Sequence, residues 1–470
     1  MVIDSATLVT HLSDLVGAVN VSSGDAIDES DTRDEALTAS SARPLAVVRP
    51  GSTDEVAAIV VTAADHGVPV TARGSGTGLS GGCAPPSGGV VVSFERMARI
   101  LEIDTENQVA VVEPGLTLVD LDAALAPRGL IYPVSPGESS SSLGGNVGTN
   151  AGGMRAVKYG VTRHHVLGIE AVLGTGEVIT AGGKFVKSTS GYDLTQLVIG
   201  SEGTLALVTR IILRLHPRPD HHATVLAPFA TMEEIAAAVP HIVSSGIGPM
   251  VVEYIDMASM AGITARAGID LGIPEDVRQR ATAYLVVVLE DHHQDRLDED
   301  TVALAQQLAD AGAVDVYVLP PQAGTQLIEA RESAFWASKA AGADDLLDVV
   351  VPRAAIPAFL SAAAAVAGRT SSLVIGCGHA ADGNVHLSVW QGDPGVRHAV
   401  LRDIIAAGIG LGGAVSGEHG IGRAKKAYLA EFEDPSKLAL MRRIKDSFDP
   451  RGILNPGAIF DPEPSAGPRR

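Results

Sequence analysis

The chain has 470 residues, too many for one ordinary hydrophobic core, and its 46% hydrophobic and 19% charged residues match a folded protein of two domains or more. Its 35 basic against 55 acidic residues leave a formal charge of −20, which excludes nucleic-acid backbones and anionic lipid as partners of the surface as a whole and confines any anion to a local site. The two cysteines, Cys83 and Cys377, stand far apart, so neither a disulfide framework nor a thiolate zinc site is expected, and a reducing, cytoplasmic setting fits.

Residues 1–42 read as a short amphipathic helix and an acidic surface approach, SSGDAIDESDTRDEALTASSA. The first twenty residues lack the pattern of a secretory signal, and no run of about 18 apolar residues occurs, so no transmembrane segment is expected; peripheral docking at a membrane stays compatible. LAVVRP is a strand and STDEVAAIVVTAADHG a helix, with capping-box spacing between Ser52 and Glu55 and Gly67 as its stop. VPVTA is a second strand. From there to residue 217 short β segments and glycine dominate (GGVVVSF, RILEID, NQVAVVEPG, VLGIEAVLGTGEVITA, GTLALVTRIILRL), with LVDLDAALAPRG and YDLTQLVIG as the helices.

At HPRPDHH the composition changes, which places a boundary within 216–222. Beyond it, Ala-rich helices such as TMEEIAAAVPHIVSSG alternate with the strands MVVEYID, AYLVVVLE, VDVYVLP, LLDVVVP, SSLVIGCG and VHLSVW, predicting an α+β domain with helices against one face of a sheet. The predicted divisions are 1–42, 43–217, 218–415, a C-terminal segment 416–460 returning to the first half, and a disordered tail 461–470.

TARGSGTGLSGG, residues 71–82, contains G-x-G-x-x-G at Gly76, Gly78 and Gly81. A Rossmann loop needs its third glycine to open a helix under the pyrophosphate, and Pro85-Pro86 prevents one. Such a loop still lets successive N–H groups converge on an anion. SPGESSSSLGGNVGTNAGGMRAVKYG, residues 135–160, and SGYDLTQLVIGSEGTLALVT repeat the theme, which suggests a long phosphate-bearing ligand with close backbone approach along its length.

Together these segments resemble the FAD-binding domain of the vanillyl-alcohol oxidase/PCMH superfamily over residues 43–215. The resemblance implies an α+β fold, with a two-subdomain PCMH-type FAD-binding domain and a cap domain whose largely antiparallel sheet is covered by helices. It implies FAD contacts at Arg73, Gly74, Ser75, Gly76, Thr77 and Gly78, then Pro136, Gly137, Ser142, Gly145, Gly148, Thr149, Asn150, Gly152 and Gly153, then Glu202 and Gly203. No histidine in the first loop offers a tether, so noncovalent FAD is expected.

GCGHAADGNVHLSVW puts His379 and His386 across a hairpin turned at Asp382-Gly383, and GGAVSGEHGIGR offers Glu418 and His419 in a glycine-flanked loop. Two imidazoles and a carboxylate suit a divalent Zn, Mn or Fe ion with positions left for substrate oxygens. These two segments resemble the FAD-linked D-2-hydroxyacid dehydrogenases, the group of D-lactate dehydrogenases and glycolate oxidase catalytic subunits. The resemblance implies His379, His386 and Glu418 as metal ligands, His419 as the base and Arg331 as the grip on the substrate carboxylate.

Positions that serve a second carboxylate in hydroxyglutarate enzymes align with Phe335 and Leu346, and an asparagine after the second metal histidine is replaced by Ser388. A small or apolar D-2-hydroxymonocarboxylate such as D-lactate, glycolate or 2-hydroxybutyrate is therefore expected, oxidised to the 2-oxoacid by hydride transfer to flavin N5. The alternatives are a D-2-hydroxyglutarate dehydrogenase, a flavin-dependent transferase of the alkyl-dihydroxyacetone-phosphate synthase type, or a metal-dependent hydrolase that cradles a nucleotide. With no Rossmann loop or iron–sulfur cysteine pattern, the expected electron acceptor is a quinone, an electron-transfer flavoprotein or a cytochrome. A homodimer is compatible with the sequence.

Overall fold

The computed structural model describes residues 5–40 and 42–462; the last eight positions of the predicted tail lie outside the described residues. The first sheet contains β1 (Val21–Ser23), β2 (Ala46–Val48), β3 (Val70–Arg73) and β4 (Val90–Ser93) in the order β1-β2-β4-β3. β2 and β3 run parallel to β4, and β1 pairs antiparallel with β2. The continuous Val/Ala runs are buried on both faces, as parallel strands require.

Helices Ser5–Val16 and Thr53–His66 pack on one face of this sheet. The first helix is therefore more than the surface element the sequence suggests: Leu8 and Leu12 are fully buried there, each contributing about 1.5–3 kcal/mol. Thr53–His66 starts and stops as read, with Ser52 Oγ accepting from Glu55 N at 3.2 Å and Gly67 closing it at φ 63. The Glu55 carboxylate reaches one residue further back than a capping box, to Gly51 N at 2.7 Å.

The second sheet is antiparallel, with β5 (Ile100–Asp104), β6 (Val109–Val112), β8 (Val166–Leu173), β9 (Val178–Gly182) and β10 (Ala206–Arg214) in the order β5-β6-β10-β8-β9. β7 (Leu130–Ile131) pairs with β11 (His216–Pro217) beside it. The second glycine segment, read as a loop, contains a short helix, Leu143–Thr149, capped by Ser142 Oγ from Gly145 N at 3.3 Å. Glycine is a poor helix former, which hid this helix; packing demands it, since a Cβ on Gly144 would lie 2.6 Å from Pro114 Cβ.

The third sheet has seven antiparallel strands: β12 (His221–Phe229), β13 (Val251–Asp256), β14 (Ala283–Asp291), β15 (Tyr317–Val318), β16 (Asp345–Val350), β17 (Leu373–His379) and β18 (Asn384–Trp390), in the order β15-β12-β14-β13-β17-β18-β16. Its helices cover both faces, not one as expected. Helices Met232–Ser244, Gln294–Asp310, Ile356–Thr370 and Pro394–Gly410 meet Phe229, Leu285 and Val349 on one side. Met257–Ala267, Glu275–Arg280 and Pro321–Glu332 meet Leu226, Ile255 and Val286 on the other. The unbroken apolar run of AYLVVVLE is the sequence mark of a strand covered twice.

After helix Pro435–Phe448 the protein returns to the first sheet, where Val70 N donates to Ile453 O at 2.8 Å and Asn455 N to Val70 O at 2.7 Å. Among the described residues no helix is long and apolar enough to cross a membrane.

Candidate active site

Strand register builds the site. Glu253 pairs with His379, Cys377 with His386, Asp348 with His386, and Leu346 with Ser388. Paired residues share a face and alternate residues along a strand return to it, so Glu253, His379, His386, Asp348, Ser388 and Leu346 all project from one face of the third sheet. The hairpin turn between β17 and β18 requires glycine at 383, where φ is +89° and a Cβ would sit 1.9 Å from Val351 O.

His379 Nε2 stands 3.2 Å from Glu418 Oε1 and 3.3 Å from His386 Nε2, and His386 Nε2 stands 3.2 Å from the same Glu418 oxygen. Ligand atoms 2.0–2.2 Å from one zinc ion at tetrahedral angles lie about 3.3–3.6 Å apart, so this triangle has the edge lengths of one face of a metal polyhedron. His379 Nδ1 turns the other way, onto the Glu253 carboxylate. A carboxylate behind a ligating imidazole fixes its tautomer and raises its basicity. Burial disfavours charge on His379, yet the carboxylates of Glu253 and Glu418 raise its pKa well above the ordinary value; burial would likewise raise Glu418, but His379 and His386 hold it far down.

Asp348 anchors the loop that carries Glu418 and His419. Its Oδ2 accepts from Ser416 Oγ at 2.7 Å, Glu418 N at 3.1 Å and His419 N at 2.8 Å. Burial would raise this carboxyl, but His419, Lys425 and His386 hold it low. The His419 ring stacks on His386 with Nδ1 3.7 Å from Asp348 Oδ2, and burial pushes its pKa down to about 4 with Asp348 opposing in part. A neutral imidazole able to accept a proton results.

Arg331, buried on Pro321–Glu332, brings Nη2 to 2.7 Å from Glu253 Oε2. That is close enough for an ion pair but off the hydrogen-bond direction, so Nε and Nη2 each keep an unused N–H.

All five of these predicted groups line one cavity of about 400 Å³, together with every predicted cofactor residue except Asn150. Asn150 caps Leu143–Thr149 in the left-handed region and accepts from Arg163 N through Oδ1 at 3.0 Å. The main chain of 74–78 and 144–149 forms the wall that a dinucleotide needs, and a Cβ on Gly148 would meet nothing nearer than 4.0 Å.

Two of these residues also have structural work. The Arg73 guanidinium donates to Arg33 O at 2.8 Å and lies 3.6 Å from Asp31 Oδ1, where it fills the space a Gly76 side chain would take. The Glu202 carboxylate accepts from Ile421 N and Gly422 N, both at 2.8 Å, and so holds the far end of the His419 loop.

Sequence reasoning missed Glu253 and Asp348; the available signal was one acidic residue inside the apolar strands MVVEYID and LLDVVVP. It also read residues 1–42 as surface. Asp34 is buried instead, lines the cavity and has one oxygen without a partner, while Glu35 N donates to Gly78 O at 2.8 Å.

Residues 44–182 match the family described as FAD binding domain, and residues 218–459 match FAD linked oxidases, C-terminal domain. An uncharacterized FAD-linked oxidoreductase of Mycobacterium tuberculosis is 56% identical over 96% of this chain and 99% of its own length. A D-lactate dehydrogenase of Anaerostipes hadrus is 37% identical over 93% of this chain and 94% of its own. A solved alkyldihydroxyacetonephosphate synthase superposes with a TM-score of 0.75, covering 96% of this chain and 85% of that one, at 17% identity; that likeness is one of fold alone.

Proposed function

This chain belongs to the family of FAD-linked oxidases that holds proteins named D-lactate dehydrogenase and glycolate oxidase subunit GlcD, and we propose that it oxidises a D-2-hydroxymonocarboxylate to the 2-oxoacid. The observation that carries this reading is the meeting, in one cavity, of the glycine-lined trough, the His379–His386–Glu418 triangle and an arginine with unused donors.

The unused N–H groups of Arg331 suit the fork geometry of a carboxylate. Among the described residues lining the cavity, the lysine and arginine side chains are Arg73 and Arg331 alone, and Arg73 is committed to Arg33 and Asp31. No cation is left for a second carboxylate, which favours monocarboxylates over 2-hydroxyglutarate.

His379, His386 and Glu418 would hold a divalent ion, whose positive charge lowers the pKa of a nearby substrate hydroxyl. FAD, when bound, supplies the acceptor for the hydride that leaves the substrate α-carbon. His419 takes the hydroxyl proton, and Asp348 behind it stabilises the imidazolium so formed. A quinone, an electron-transfer flavoprotein or a cytochrome would serve as the acceptor that takes up the two electrons.

The test is anaerobic mixing of the purified flavoprotein with D-lactate, glycolate, D-2-hydroxybutyrate and D-2-hydroxyglutarate while flavin absorbance is followed. Bleaching by monocarboxylates and little by hydroxyglutarate is expected. Oxidised flavin persisting across the panel would refute the assignment.

A further inference from the structure

Beyond the metal triangle the cavity continues along the sheet. Ile375 lies four residues before His379 on β17 and Trp390 four residues after His386 on β18, so the strands extend the wall by about 13 Å from the cluster. Leu346, beside Ser388 on β16, completes this floor. Helix Met257–Ala267 contributes Gly262 and Ile263 to the wall, and Ala334–Ala340 contributes Phe335 and Ala337.

The polar groups here are spent within the wall itself. Ser388 Oγ donates to Ser338 Oγ at 2.9 Å, Trp390 Nε1 to Ala341 O at 3.1 Å, Trp336 Nε1 to Glu138 Oε2 at 3.2 Å, and Ser259 Oγ to Gly376 O at 3.2 Å. The surface here is mainly carbon, from Ile375, Leu346, Ile263, Phe335 and Ala337. Gly262 has a helical position poorly suited to glycine, and a Cβ added there would meet nothing within 4 Å. Gly262 is exposed, so its missing side chain leaves the mouth of the channel open.

We propose that this channel receives an apolar substituent of several carbons, so that the preferred substrate is a D-2-hydroxyalkanoate of about six to eight carbons rather than lactate or glycolate, an acid whose extended tail lies wholly within the reach of the channel floor. The inference rests on the dehydrogenase reading above. The reaction is unchanged: FAD, when bound, would supply the acceptor for the α-hydride, His419 takes the hydroxyl proton, and the acid leaves as the 2-oxoacid. The tail takes no part in the chemistry and contributes by leaving water.

The experiment compares D-lactate, D-2-hydroxyhexanoate and D-2-hydroxyoctanoate in anaerobic flavin reduction, with the melting temperature measured in pyruvate and in 2-oxooctanoate as a readout independent of turnover. kcat/KM is expected to rise about fourfold per methylene, and 2-oxooctanoate to stabilise more than pyruvate at equal concentration. In Gly262→Phe and Gly262→Leu, the octanoate-to-lactate ratio is expected to fall at least tenfold. Retained flavin absorbance and an unchanged melting temperature without ligand report that each variant is folded.

Reduction by lactate with a flat or falling series as the acid lengthens would overturn the channel while leaving the dehydrogenase reading standing. A rising series that both Gly262 variants leave unaltered would overturn the assignment of the tail to this channel. Reduction by none of the acids would remove the dehydrogenase reading itself.

Discussion

Glu253 is the residue whose change reaches furthest. It is fully buried on β13, with one carboxylate oxygen on His379 Nδ1 and the other 2.7 Å from Arg331 Nη2. Glu253→Gln keeps the shape and removes the charge that the His379 imidazole and the Arg331 guanidinium share. Behind a ligating imidazole, losing the carboxylate costs about 10–100-fold in metal affinity. On the other side, Arg331 becomes a buried cation without its partner, and breaking such a pair costs about 3–5 kcal/mol.

A substrate or product carboxylate would restore a partner to Arg331, so ligand binding is expected to recover part of the lost stability. The assay is zinc competition against a chelator, together with thermal unfolding with and without 2-oxoacid. A metal affinity within twofold of the wild type would refute the ligand-orienting role. A melting temperature equally insensitive to the substitution would refute the buried ion pair.

His419→Ala is expected to retain FAD and substrate binding while flavin reduction slows by about 10²–10⁴-fold; an unchanged rate would remove His419 from the proton-accepting role. For Glu202, burial pushes the carboxyl up to about 7 from 4.5, against the N–H bonds of Ile421 and Gly422. Between those values the folded protein holds a proton that the unfolded one has released, so this group makes stability fall as pH rises from 4.5 to about 7 and adds no further change above. The melting temperature of Glu202→Gln is expected to depend less on pH across that window than the wild type's, and parallel slopes would refute the point.

What could be read from the sequence was what local chemistry dictates. Ser52 and Gly67 bracket a helix because caps act within one turn, and the proline pair at 85–86 excludes a Rossmann helix by sterics alone. His379 and His386 were legible as a pair because a hairpin joins them. Glu253 and Asp348 were not, because their roles depend on β13 and β16 pairing with strands more than 30 residues away. Before the register is known, a carboxylate in an apolar strand has no visible partner. The acidic run around Asp31 and Asp34 misled for the opposite reason: composition says surface, but the ion pair of Asp31 with Arg73 and the bond from Glu35 N to Gly78 O draw it inward against the glycine loop.

The same period of two that gathers the ligands also separates chemistry from selectivity. His386, Ser388 and Trp390 follow one another on one face of β18, so a single strand presents a metal ligand, a spent hydroxyl and an aromatic wall in that order along the cavity. Changes at Ser388, Leu346 or Gly262 can therefore reshape what the cavity accepts while His379, held by Glu253, and the Glu418–His419 loop, held by Asp348, keep their places. Relatives sharing the chemistry but differing in the acid they oxidise are the expected consequence of that arrangement.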